Sequence, residues 1–142
     1  MGLLMKYIAK ICLAILSINA FSIYASDVVV VANTSVDGLK AEKRQIRDIF
    51  MGNDSQFLLK PVVLSAKSEA RFVFNTKIVG LTESRIQSYW AQMRFSGRKK
   101  PPQEFETIDS ILVFLQENKD TVAYLPADTE IPANLTVIYK TE

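Results

Sequence analysis

The chain has 142 residues, which suits one domain. It is 49% hydrophobic and 23% charged, a balance that excludes an intrinsically disordered chain. Of its 17 basic and 15 acidic residues, Lys6 and Lys10 lie before residue 26 and no acid does, so residues 26–142 carry 15 of each sign. A neutral domain has no broad electrostatic footprint for nucleic acid or an anionic membrane.

Residues 1–25 have the form of a secretory signal peptide. Lys6 and Lys10 precede an apolar run from Ile11 through Leu16 to Ile23. Ile23-Tyr24-Ala25 offers a small residue at the cut, and Ala20-Phe21-Ser22 offers a second position. The run is shorter than the ~20 apolar residues of a membrane span, although an uncleaved anchor would share the same pattern. Cleavage near Ser26 predicts a periplasmic product with no stable membrane insertion. Cys12 is the single cysteine, with no small residue just before it to suggest lipid attachment, and the chain has no histidine. Residues 26–142 therefore lack disulfides, thiolate nucleophiles, imidazole bases and the common zinc ligands. No close carboxylate pair forms an acid/base motif, so the expectation is a protein without catalytic residues, metal or cofactor.

In chain order, Val28-Val29-Val30-Val31 predicts a strand covered on both faces. Asn33 to Gly38 is a turn-rich loop. Ile46, Ile49 and Phe50 share one face of a helix over 41–51, closed by Gly52. Pro61 opens a second strand through Ser65, where no ladder donor is needed. Ser68 is placed to cap a helix over 68–79, with Phe74 and Ile78 inward and Gly80 at its end. Thr82 caps a helix over 83–95, where Ile86, Tyr89, Trp90 and Met93 follow the helical period. That stripe reads as core rather than as a ligand platform.

Gly97 ends that helix, and Arg98-Lys99-Lys100-Pro101-Pro102 follows as an extended basic linker. A helix over 107–118 turns Ile108, Ile111, Leu112 and Leu115 inward. Thr121–Leu125 and Leu135–Tyr139 are the third and fourth strands. The order implies an α/β fold, a mixed sheet flanked by helices with right-handed crossovers.

Several segments resemble the phosphate-type substrate-binding proteins of ABC transporters, with the type 2 periplasmic-binding fold. Val28 to Asn33, Leu39 and Ile49-Phe50-Met51-Gly52 are similar to that family's first strand, its Asn-containing loop and its "IF-x-G" helix end. Val62-Val63-Leu64 with Ser68, Arg71 and Phe74 resembles its strand and Ser-Gly-Thr-Arg-x-x-Phe helix start. Tyr89-Trp90, Phe95-Ser96-Gly97 and Pro101-Pro102 resemble the signature of its short, single-lobe members. Asn118 to Tyr124 resembles its Gly-Ala-Ile-Gly-Tyr strand. The resemblance covers nearly all of residues 28–127 and implies a single lobe over residues 26–142. In full-length members an oxyanion is held between two lobes, and this chain is too short for both.

Local physics points the same way. A helix start after a strand presents free N–H groups and partial positive charge. Ser68 and Arg71 are the first-rank ligand candidates, because a guanidinium can grip phosphate or carboxylate with two parallel bonds. Asn33 and Ser35, after the first strand, are second-rank candidates, as loops at strand ends line ligand crevices in open α/β sheets. The plainer alternative makes Ser68 an ordinary cap, Arg71 a surface residue and Asn33 to Ser35 a turn. Departures from the family pattern matter here. Glu69 and Ala70 stand at the Gly and Thr positions, and Glu69 brings negative charge that repels an anion and neutralises Arg71. Asp120 and Ala123 stand where the strand motif has glycines.

The expected function is an exported solute-binding-type module with weak oxyanion (phosphate) affinity. The alternative is a periplasmic interaction module for a transporter, porin or sensor, with Arg98–Lys100 as a docking patch for an acidic partner.

Overall fold

The computed structural model describes residues 2–3, 26–53 and 55–142. The segment expected to be a signal peptide, residues 1–25, lies outside the described residues apart from Gly2 and Leu3. Among the described residues no helix is long and apolar enough to cross a membrane.

Strand β1 spans Val28–Asn33, β2 Lys60–Leu64, β3 Gln103–Phe105, β4 Thr121–Pro126 and β5 Thr136–Lys140. Helix α1 spans Lys43–Phe50, α2 Glu69–Phe74, α3 Glu83–Phe95 and α4 Ile108–Glu117. The strands form one five-stranded mixed sheet in the order β3-β2-β4-β1-β5. Strands β2, β3 and β4 run parallel to one another. Strand β1 runs against both β4 and β5.

Successive residues of a strand face opposite sides of its sheet. Val28 to Ala32 are all buried, so both sides of β1 are covered, as the unbroken valine run predicts. Strand β3 was not anticipated. Three residues with polar Gln103 and Glu104 carry no hydrophobic period, and β3 exists because its backbone pairs with β2 through Val62–Gln103, Val63–Glu104 and Leu64–Phe105.

The expected helix from Ser68 to Val79 changes character halfway. Helix α2 passes into a π-helical turn over Asn75–Val79, closed by Gly80 at φ +73°. The Gly80 N–H donates to the Asn75 carbonyl at 2.7 Å. Helix α3 matches its predicted span, and the Thr82 hydroxyl accepts from the Arg85 N–H. Ile86 and Trp90 are buried, while Tyr89 and Met93 are half-buried. The core centres on three rings. Phe74 stacks on Tyr124 at 4.1 Å, and Phe50 meets Phe74 edge-on at 4.7 Å.

Two loop residues near the amino ends of β2 and β4 adopt the left-handed conformation. Gly52, at φ +69°, leaves room that a Cβ would close, at 3.1 Å from Lys99 Cδ and 3.3 Å from Trp90 Cη2. Asp120 sits at φ 58° without being glycine. Its N–H donates to the Asn33 carbonyl at 2.8 Å, and its own carbonyl accepts from the Lys60 N–H at 2.7 Å. This residue thus joins β1, β4 and β2, and those bonds hold it in a conformation that L-residues disfavour. Asp120→Val should destabilise the fold by about 1–2 kcal/mol, and Asp120→Gly should leave it equal or more stable by about 0.5 kcal/mol. Urea unfolding of both variants tests this, and equal losses would show that Asp120 is unstrained.

Candidate functional site

Arg71 lies on the same face of α2 as the core residue Phe74, one turn before Asn75, and is 7% exposed. All three nitrogens of its guanidinium are engaged within the protein, through four of its five N–H donors. The Nε donates to Glu83 Oε2 at 2.9 Å and Nη2 to Glu83 Oε1 at 2.6 Å, a forked pair. The Nη1 donates to the Leu64 carbonyl at 2.8 Å and to Glu104 Oε2 at 3.0 Å. Asn75 Nδ2 adds a bond to Glu83 Oε2 at 2.8 Å, and Gln87 Nε2 one to Glu83 Oε1 at 2.7 Å.

Each member arrives by a local rule. Arg71 and Asn75 are four residues apart on one helix face, so both reach the same carboxylate. Glu83 is the first residue of α3, next to the Thr82 cap, where a carboxylate also suits the helix dipole. Glu104 comes from β3. The β2–β4 pairing covers only Lys60 and Pro61. Further along β2, the Leu64 carbonyl accepts from Arg71 and, at 3.5 Å, from the Tyr124 hydroxyl.

The electrostatics follow. Burial pushes the Glu83 carboxyl up, but hydrogen bonds from Arg71, Gln87 and Asn75 and the Arg71 charge hold it below its ordinary value. Burial opposes the charge on Arg71, and Glu83 and Glu104 more than restore it. Burial pushes the Tyr124 phenol well up, so it stays neutral. A small cavity of about 110 Å³ beside this network is lined by Arg71, Asn75, Gln87, Arg94 and Glu104 over Trp90 and Tyr124.

The four expected ligand residues do not form one site. Ser68 stands at the start of α2, half-buried, and its hydroxyl makes no capping bond, contrary to the plain-cap expectation. Arg71 is buried, contrary to the surface alternative. Asn33 pairs with Thr121 at the amino end of β4, and Lys60 at the amino end of β2 pairs with the same residue. Ser68 follows the carboxyl end of β2, so the length of that strand, about 13 Å, separates it from Asn33. The reversal of β1 in the sheet is the reason. The Asn33 amide is spent on α4, donating to the Leu115 carbonyl at 2.7 Å, and Ser35 is exposed in the following loop.

The expectation that Glu69 neutralises Arg71 is also corrected. Glu69 points to the other side of the helix start and accepts from the Ser26 hydroxyl at 2.7 Å. The carboxylates beside Arg71 come from α3 and β3. Among the described residues no three His, Cys, Asp or Glu side chains gather as a metal-holding group.

This architecture is that of a single lobe of a periplasmic-binding-protein fold. No protein-family model matches the chain, and no curated protein matches it. Solved structures do. An ABC-type phosphate transport receptor from Vibrio cholerae superposes with a TM-score of 0.57 at 15% identity, over 80% of this chain and 45% of that one. A phosphate ABC transporter substrate-binding protein from Clostridium perfringens, solved with bound phosphate, gives 0.59 at 15% identity, over 80% and 44%. PstS from Borrelia burgdorferi gives 0.52 at 6% identity, over 72% and 41%. The chain thus spans less than half the length of each of these receptors, and the likeness is one of fold.

The Arg71 network makes two predictions about stability. Arg71→Leu should cost about 2–3 kcal/mol, toward the low end for breaking a buried pair, because Glu83 and Glu104 are 34% and 46% exposed and water can reach them. Urea unfolding measures this, and a loss below half a kilocalorie would show the network to be idle. Glu83 has a folded value below its unfolded one of about 4.5, so its contribution is full above that pH and is lost as pH falls through the lowered value. Glu83→Gln should therefore flatten the acid side of the stability–pH curve, and an unchanged slope would remove Glu83 from acid unfolding.

Proposed function

We propose that the chain is an exported, non-enzymatic periplasmic-binding-protein lobe that works through a protein partner and holds an oxyanion only weakly. The observation that carries this is the Arg71 guanidinium, four of whose five donors are already taken by two carboxylates and a backbone carbonyl. An anion at the start of α2 would compete with these internal partners. It would also meet water on its open side, where screening weakens every charge contact. The fold of phosphate receptors supports the binding-protein class, and the leader pattern supports a periplasmic location. A transporter component is the partner class that best suits this fold, ahead of a porin or sensor.

A second reading keeps a ligand at Ser68 and Arg71. The half-exposed Glu104 holds one arm of the guanidinium by a single bond, and an anion could take that place if Glu104 swung outward.

Isothermal titration calorimetry of the exported chain with inorganic phosphate separates the readings. The expected dissociation constant is about 0.1 mM or weaker, roughly 5 kcal/mol. Glu104→Gln should tighten it if Ser68 and Arg71 form the site. Submicromolar phosphate binding by the monomer would overturn the partner reading and make the chain a solute receptor.

A further inference from the structure

The amino ends of β2, β3 and β4 border a second, larger concavity, away from Ser68. It is an open trough of about 1020 Å³ running between the loop after α1, the 99–103 segment and the Lys119–Asp120 corner. Its apolar lining includes Trp90, Pro101, Pro102 and Leu58, the last 91% exposed. Four lysines border it, Lys60, Lys99, Lys100 and Lys119, against one described carboxylate, Asp120. Among the described residues the ion pairs are Arg71–Glu83, Arg71–Glu104 and Lys77–Asp27, none of which uses a trough lysine. Lys99 instead donates to the Gly52 carbonyl, which fixes its ammonium at the trough wall without cancelling its charge.

We propose that this trough docks an extended, acidic segment of a partner protein, with apolar side chains seated on Leu58, Pro101 and Pro102, above the buried Trp90. The inference builds on the partner reading above and names the surface and the chemistry of what it takes. Three features select this occupant. A chain with equal numbers of each charge over residues 26–142 places four cations against one anion among the described trough residues, and such a local excess attracts carboxylates. No arginine lines the trough, and lysine point charges suit carboxylates spread along a chain better than one phosphate gripped by a planar fork. The trough also reaches the upper limit of small-ligand pockets, roughly 1,000 Å³, and is open along its length.

Trp90 is the only tryptophan in the chain, so its fluorescence reports occupancy. The full chain, expressed with its leader, would be titrated with a short glutamate-rich peptide containing leucines, at low and physiological salt. The expected result is saturable binding that weakens with salt. Lys60→Glu with Lys119→Glu should weaken it by about tenfold or more, because both lysines are exposed and their reversal turns attraction into repulsion. Asp120→Asn, which removes the trough's one described carboxylate and tolerates the same backbone, should strengthen it. A control with the same change in net charge, Lys43→Glu with Arg85→Glu on exposed positions outside the trough, should stay within about twofold of the parent chain. Thermal melts establish that each variant is folded.

Absence of peptide binding would overturn the proposal, as would equal weakening by the control pair. Lysine-dependent binding to anionic lipid vesicles without peptide binding would overturn it in favour of a membrane surface. Phosphate calorimetry is independent of all these arms, so tight phosphate binding would end the partner reading without altering the peptide result.

Discussion

A guanidinium taken out of water must find an acceptor for each of its donors, and around Arg71 that requirement ties together elements far apart in sequence. Helix α2 supplies the cation, the first turn of α3 a forked carboxylate, β3 a second carboxylate and β2 a free carbonyl. Asn75 and Gln87 then fill the remaining lone pairs of Glu83. Such a network adds modest net stability, since desolvation offsets much of the attraction. Its stronger effect is geometric. A shift of α3 or β3 would leave a charge unpartnered, so the network fixes where those elements sit.

Most of the fold was legible because its signals are local. Val28–Val31 marked a covered strand, the Ile86–Trp90 spacing marked the inner face of α3, and the glycines at 52, 80 and 97 all occupy the left-handed conformation expected of helix ends. What escaped was set by tertiary pairing. Strand β3 has no hydrophobic period and is defined by its partner. The direction of β1 relative to β4 is a property of topology, and without it the separation of Asn33 from Ser68 is not legible.

The site was legible only in part, and the reason lies in Arg71 itself. A ligand residue and a surface residue were the two options considered, and the structure gives a third, a buried ion pair. A signal was present. Arg71, Phe74, Asn75 and Ile78 share one helical face, so an inward Phe74 and Ile78 already placed Arg71 against the core. A buried arginine then demanded carboxylates, and Glu83, one residue past a helix cap, is the first to follow it in sequence. Asp120 carried a comparable signal, since a family glycine replaced by aspartate at a strand entrance marks a residue that can tolerate positive φ.

The two ends of the parallel strands β2, β3 and β4 are thus chemically unlike. Beyond the carboxyl end of β2, the Arg71 charge is balanced inside the protein, and the nearby accessible groups, Glu83, Glu104 and Arg94, include both signs. At the amino ends, lysines stand without carboxylate partners among the described residues, over prolines and a tryptophan edge. An approaching anion meets a closed, compensated network at one end and open positive charge at the other. The Arg71 end is therefore the less able to attract an anion. Charge, rather than fold, decides which face of this lobe is free to bind.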